Sequence, residues 1–258
     1  MRIIIVLGKY GGFCNRLFQS LHFHAYALDN GIKIFNPTML GLLKYDNNFF
    51  YFLDSLNNLL LGFLTKYVKF FYKKKEIYFY FNKNNFIKIC EGWNFRDYKS
   101  TIIYNKKLSK IYSFKSDYLS IKSKRIIKDL DKLKKQGKFL VGLHIRKGDY
   151  KSWEEGKFYF SDDFYYKAVN NIKLSLQKEN RDPYIVAVSD EKIGLREGID
   201  FIVNGSWKDD QLALQKCDLI LGPPSTFTMW ASYISRIPLI QLSTDKEPEL
   251  INQKICKG

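Results

Sequence analysis

The sequence predicts an α/β protein with parallel sheets covered on both faces, arranged as two facing Rossmann-like domains. Three observations predict it. Short β-branched runs alternate with segments of helical spacing at both ends of the chain. The runs are apolar throughout rather than alternating, as in strands buried on both faces. Polar clusters follow directly on several runs, where open sheets bind ligands beyond the carboxyl ends of their strands.

In chain order, "RIIIVL" reads as a buried strand and "GKYGGFCNR" as a glycine loop. "LFQSLHFHAYALDNG" has helical spacing and stops at Asn30-Gly31, and "IKIF" resumes as a strand that ends before Pro37. Together they make a β-α-β unit. The middle, about 39–136, mixes helical stretches with the alternating "EIYFYF" and ends in "KSKRIIKDLDKLKKQGK". There Ile126, Leu130 and Leu133 share one face of an amphipathic helix, and Gly137 is a natural stop and domain boundary. The remainder alternates. "KFLVGLHI", "PYIVAVSD", "CDLILGP" and "PLIQL" are strands. "SDDFYYKAVNNIKLSLQKEN" with Ser161 as N-cap, "DDQLALQK" and "STFTMWASYIS" are helices.

Composition narrows the function classes. The 258 residues suffice for two domains. Lys and Arg total 42 against 26 acids, a net charge of +16, so an acidic partner is expected: a phosphorylated small molecule, an anionic membrane or a nucleic acid. The lysines are spread along the chain and no nucleic-acid-binding signature appears, which disfavours the last. The run at 49–75, "FFYFLDSLNNLLLGFLTKYVKFFYKKK", is broken by Asp54, Asn57 and Asn58, so it does not read as a membrane span. It suits a core helix, or a surface helix with Lys73, Lys74 and Lys75 among lipid head groups. Cys14, Cys90, Cys217 and Cys256 show no C-x-x-C spacing, and no signal peptide is visible, so reduced thiols in a cytoplasmic protein are expected. The histidines lack metal-site spacing: His22 and His24 face different sides of a helix, and His144 is on a strand.

Four clusters sit just after strands: "GGFCNR" (11–16), "HIRKGDY" (144–150), "VSDE" (188–191) and "LGPPSTF" (221–227). Arg146 stands out, because a guanidinium offers a fixed fork of donors matched to phosphate oxygens. A structural pairing with Asp149 is the competing reading. The glycines Gly8, Gly11 and Gly12 do not spell the dinucleotide fingerprint or a Walker loop, but they permit close backbone approach beside Asn15. Ser225 and Thr226 open a helix, where hydroxyls and free N–H groups suit an anion.

In order, these clusters resemble the fucosyltransferases of the α-1,2, α-1,6 and protein-O superfamily, most closely the bacterial α-1,2 type. The resemblance rests on "GGFCNRLFQ", "GWNFRDY" (92–98), "HIRKGDY", "VSDE" and "PPSTFTMWA". It implies a GT-B fold with a cleft between an acceptor-side domain (1–137) and a nucleotide-sugar-binding domain (138–258). It also implies GDP-fucose as donor, a glycan hydroxyl as acceptor, an α-1,2 linkage, inversion at the anomeric carbon, and no metal or other cofactor. Arg146 would then hold the β-phosphate and assist its departure, and Asn15, with Gly11 and Gly12, would approach from the first domain. His144 and Lys147 would shape the donor loop, with Ser189, Asp190, Ser225, Thr226 and Phe227 among the donor contacts. Asp210, beside Asp209, would serve the guanine or ribose. Glu154 falls at the position of the general base, with Asp149 and Glu155 as rivals. The sequence departs from the family at Lys147, Cys14, Arg16 and Met229. A related transferase with another nucleotide sugar is the alternative those departures leave.

Overall fold

The computed structural model describes residues 2–6, 11–36, 87–90, 93–114, 116, 119–193, 198–244, 248–249 and 253–258. Gly8, Pro37, the 49–75 run with its three lysines, "EIYFYF" and Gly92 lie outside the described residues. The chain divides into two compact units, Met1–Leu119 with Lys257–Gly258, and Ser120–Cys256.

In the first unit, β1 (Ile3–Val6) is flanked in parallel by β2 (Lys33–Phe35) and β3 (Ile87–Cys90). Helix α1 (Phe13–Asn30) connects β1 to β2 and ends where Gly31 takes the left-handed conformation (φ 61°), as the Asn-Gly pair predicts. Leu17, Leu21, Phe23 and Ala25 of α1 are buried, and the rings of Phe23 and Phe95 stack 4.6 Å apart. Two short helices follow, α2 (Tyr98–Ile103) and α3 (Asn105–Tyr112), both packed on α1. The Tyr112 hydroxyl lies 2.7 Å from both Ser20 Oγ and His24 Nδ1. His22 Nδ1 accepts from the Asp97 N–H at 3.0 Å, and burial with the nearby Arg96 charge lowers its pKa to about 4. Both histidines of α1 therefore serve structure.

The second unit is a five-stranded parallel sheet in the order β6-β5-β4-β7-β8. Its strands are β4 (Lys138–Ile145), β5 (Asp182–Ser189), β6 (Phe201–Ile202), β7 (Leu219–Gly222) and β8 (Leu239–Gln241). One face packs against α5 (Asp162–Lys178), whose Tyr165, Val169, Ile172 and Leu176 meet Val141, Leu143 and Ile145. The other is covered by α4 (Ile121–Lys135), α6 (Trp207–Leu214) and α7 (Thr226–Ser235). At Gly142 the sheet and α6 approach so closely that a Cβ would sit 2.7 Å from Leu214 Cδ2. Helix α4, which precedes the boundary expected at Gly137, packs within this unit through Ile126 and Leu130. Asp218 ties it down, accepting from Lys134 Nζ at 2.7 Å and from the Leu140 N–H at 2.8 Å.

The order of strands places the chemistry. From β4 the chain steps outward through β5 and β6 on one side, then crosses to β7 and β8 on the other. The two directions diverge between β4 and β7, and the crevice at such a switch point is where open α/β sheets bind ligands. The segments leaving β4 and β7 there are 146–150 and 223–226.

Candidate active site

Arg146 is the first residue beyond β4. Its N–H donates to Tyr165 Oη at 3.2 Å, which fixes the backbone as the strand ends. Its guanidinium is half-buried. Nη2 meets Asp149 Oδ1 at 2.7 Å, Nη1 meets Asp190 Oδ2 at 3.2 Å, and the guanidinium carbon lies 5.5 Å from the Tyr150 ring centroid. Arg146 thus has the Asp149 pairing that a structural role requires. It is also braced from three directions without being enclosed, the arrangement that holds a donor fork ready for an anion.

Asp190 organises the turn. Oδ1 accepts from the Lys147 N–H at 2.9 Å while Oδ2 pairs with Arg146. This close seat requires Gly148, because a Cβ there would lie 2.6 Å from Asp190 Oδ2. Tyr150 links the turn to the neighbouring strand by donating from Oη to the Pro224 carbonyl at 2.6 Å. Ser189 ends β5, with its hydroxyl accepting from the Glu191 N–H.

Beyond β7, Ser225 caps α7 and accepts from the Phe227 N–H at 3.1 Å, and Thr226 opens the helix. The Phe227 ring stands 5.1 Å from His144, and its carbonyl accepts from Gln211 Nε2 at 2.7 Å. His144 is buried, and among the described residues its Nδ1 has no partner. Burial and the Arg146 charge lower its pKa to about 3, so the ring is neutral at physiological pH. On the same covered face, Asp210 is 7% exposed and its Oδ1 likewise has no partner among the described residues. Burial, then the charge of Asp209, raises its pKa to about 7 against the opposing pull of Lys122. These two buried polar atoms, without partners among the described residues, make His144 and Asp210 candidates for ligand contact.

Other residues expected to bind are otherwise engaged. Lys147 turns inward: its ammonium donates to the Phe160 carbonyl at 2.6 Å, pairs with Asp162 at 2.9 Å, and faces the rings of Tyr159 and Tyr165. It anchors the start of α5 instead of extending the donor fork. Replacement by methionine should lower stability by about 1–3 kcal/mol in urea unfolding, because the buried Phe160 carbonyl loses its donor. Asp209 is the N3 member of a capping box with Ser206 and also accepts from Ser123 Oγ. Burial pushes its pKa up, but these bonds outweigh it and hold the carboxyl below its usual value. Asp209 therefore serves structure, beside the buried Asp210 carboxyl.

Glu154 and Glu155 lie in a short 3-10 segment after the Arg146 turn, both exposed. Both adopt left-handed backbone (φ 50° and 57°), followed by Gly156 at φ 78°. Non-glycine residues held this way cost on the order of 1–3 kcal/mol and cluster at functional sites. Sequence reasoning gave no hint of this turn. Nor did it find Tyr150 as a brace, although the tyrosine ends the quoted motif. Within the first unit, Gly11 takes φ 57° and a Cβ there would collide with Asn15 Nδ2, so the glycine makes room for that amide. Gly12 is the N-cap of α1 and Asn15 lies in its first turn, half-buried. Among the described residues, no group of three or more His, Cys, Asp or Glu is placed to hold a metal ion.

No family model and no curated protein matches the chain. Solved structures do. The fucosyltransferase NodZ from Bradyrhizobium is similar over 96% of this chain and 97% of its own, with TM-score 0.50 and 13% identity. An Arabidopsis thaliana FUT1 variant in complex with GDP is similar over 98% of this chain and 73% of its own, with TM-score 0.50 and 12% identity. The chain shares the fold of these fucosyltransferases. At such identities the likeness concerns the path of the backbone, and what the site does must come from its own residues.

Proposed function

We propose that the protein is an inverting, metal-independent GT-B transferase that moves fucose from GDP-fucose to a glycan hydroxyl, with an α-1,2 linkage. One observation carries this reading: the braced, half-exposed guanidinium of Arg146 at the tip of the central strand, at the switch point of the sheet, with Ser225 and Thr226 across it. In the reaction the anomeric carbon–phosphate oxygen bond breaks and its electron pair leaves with GDP. The acceptor oxygen forms the new bond from the opposite face and gives up its proton to a carboxylate. Arg146 neutralises the charge growing on the β-phosphate. His144 and Asp210 suit a guanine: a carboxylate accepts from its N–H donors, and a neutral imidazole adds a further hydrogen-bonding atom. Ser189, Ser225, Thr226 and Phe227 are assigned to the diphosphate.

For the base, Asp149 is already engaged by its ion pair with Arg146 at 2.7 Å, which directs it at the guanidinium. Glu154 is exposed and held in a strained turn, so we assign it that role, with Glu155 next to it. Glu154→Gln is expected to lower kcat by about 10²-fold or more with GDP affinity unchanged. An equal loss for Glu155→Gln alone would move the assignment to its neighbour.

The direct test is incubation with GDP-fucose and an acceptor library, reading fucose incorporation with and without chelator, alongside calorimetry with a nucleotide panel. Incorporation that survives chelation, with GDP preferred, supports the reading. Tighter binding of another nucleoside diphosphate would favour a different donor sugar, the alternative suggested by the inward turn of Lys147.

A further inference from the structure

The inward and outward faces of α2 are reversed from what a water-facing helix needs, and α3 beside it exposes a further aliphatic residue. In α2 the buried residues are Ser100 and Thr101, whereas Tyr98, Ile102 and Ile103 are 52%, 51% and 58% exposed. Thr101 Oγ1 is held by the Tyr98 and Lys257 carbonyls, so the polar face is fixed inward. Helix α3 is anchored by Leu108 and Tyr112, and it too exposes an aliphatic residue, Ile111, at 41%. Interleaved with these are Lys99, Lys106, Lys107 and Lys110, all exposed. Residues 98–112 contain four lysines and no acid. Asp97 is committed to capping α2, and Asp29 accepts from Tyr104 at the rim.

Single exposed isoleucines are ordinary. Three isoleucines and a tyrosine on two consecutive helices, alternating with lysines that pair with no acid among the described residues, are a different matter. Water gains nothing from that pattern, and a nucleic acid would use the lysines but not the isoleucines. A surface offering anionic head groups above hydrocarbon uses both: the ammoniums meet phosphates while the aliphatic tips enter the acyl boundary. We propose that α2 and α3 form a docking surface for an anionic phospholipid bilayer, holding the protein peripherally. Among the described residues no helix is long and apolar enough to cross a membrane, so the contact is an interfacial one. The proposal stands independently of the donor and the reaction.

The test is sedimentation of the full chain with vesicles of phosphatidylcholine alone and of phosphatidylcholine mixed with phosphatidylglycerol. Binding is expected only to the mixed vesicles. Converting Lys99, Lys106, Lys107 and Lys110 to glutamine should weaken partitioning about 10²-fold, and Ile102→Ser with Ile103→Ser about tenfold. All six positions are exposed, so circular dichroism should show the fold retained. As a control, Lys124→Gln with Lys128→Gln on α4 removes charge elsewhere and should change partitioning less than threefold. The proposal is overturned if mixed vesicles are not bound. It is equally overturned if the isoleucine pair has no effect, which is the result expected of a purely electrostatic site for nucleic acid. Equal weakening by the α4 control would also end it, since net charge would then explain the binding.

Discussion

Arg146→Ala should lower fucose transfer by about 10²–10³-fold while leaving the protein folded, because one preorganised contact to the departing phosphate is lost. The side chain is half-buried and Asp149 is well exposed, so losing its ion pairs should change stability by less than about 1 kcal/mol. Arg146→Lys keeps the charge but cannot reach Asp149 and Asp190 together with a planar fork, and should fall between the two. Initial rates with GDP-fucose, together with thermal melts, separate these outcomes. Turnover close to that of the native protein would remove Arg146 from the chemistry and the proposed function with it.

Asp210→Asn should act in opposite directions on stability and binding. The Asp210 pKa is raised to about 7 in the folded protein from an ordinary value of 3.8. Between these values the folded state binds more protons at this group than the unfolded one, so the contribution of Asp210 to stability is greatest below pH 4 and is lost as pH rises to about 7. Asparagine carries no such charge, so the variant should be more stable than the native protein at pH 8 by about 2–4 kcal/mol, the advantage vanishing near pH 4. GDP affinity should nonetheless fall about 10–100-fold at pH 8, because a charged acceptor is replaced by a neutral amide. Chemical denaturation across pH and calorimetry at pH 8 would check both. A stabilised variant that binds GDP normally would leave Asp210 an unexplained buried acid.

Much of the second unit was legible because its strands are long apolar runs with clear punctuation. "KFLVGLHI" is β4 residue for residue, and Ser161 and Ser225 cap the helices expected after them. β6 escaped notice because two residues, Phe201 and Ile202, carry no periodicity. Helix α2 escaped because its apolar residues point outward, which inverts the usual helical signature, and α3 because eight residues with few apolar positions give little periodicity. At the site, Arg146 was legible from its motif and its place after a strand. Lys147 was not: its destination depends on Phe160 and Asp162, which meet it only once α5 folds back over the sheet. Asp209 and Asp210 look alike in sequence, yet the capping geometry of Ser206 gives one a full set of partners and leaves Oδ1 of the other without one among the described residues.

The narrow gap between residue 148 and the Asp190 carboxylate has an evolutionary consequence. Neither position can drift by itself: an alanine at 148 would displace the acid, and a longer acid at 190 would push the loop away and swing the guanidinium with it. Relatives that keep this arginine should therefore change the two sites as a pair, if they change them at all.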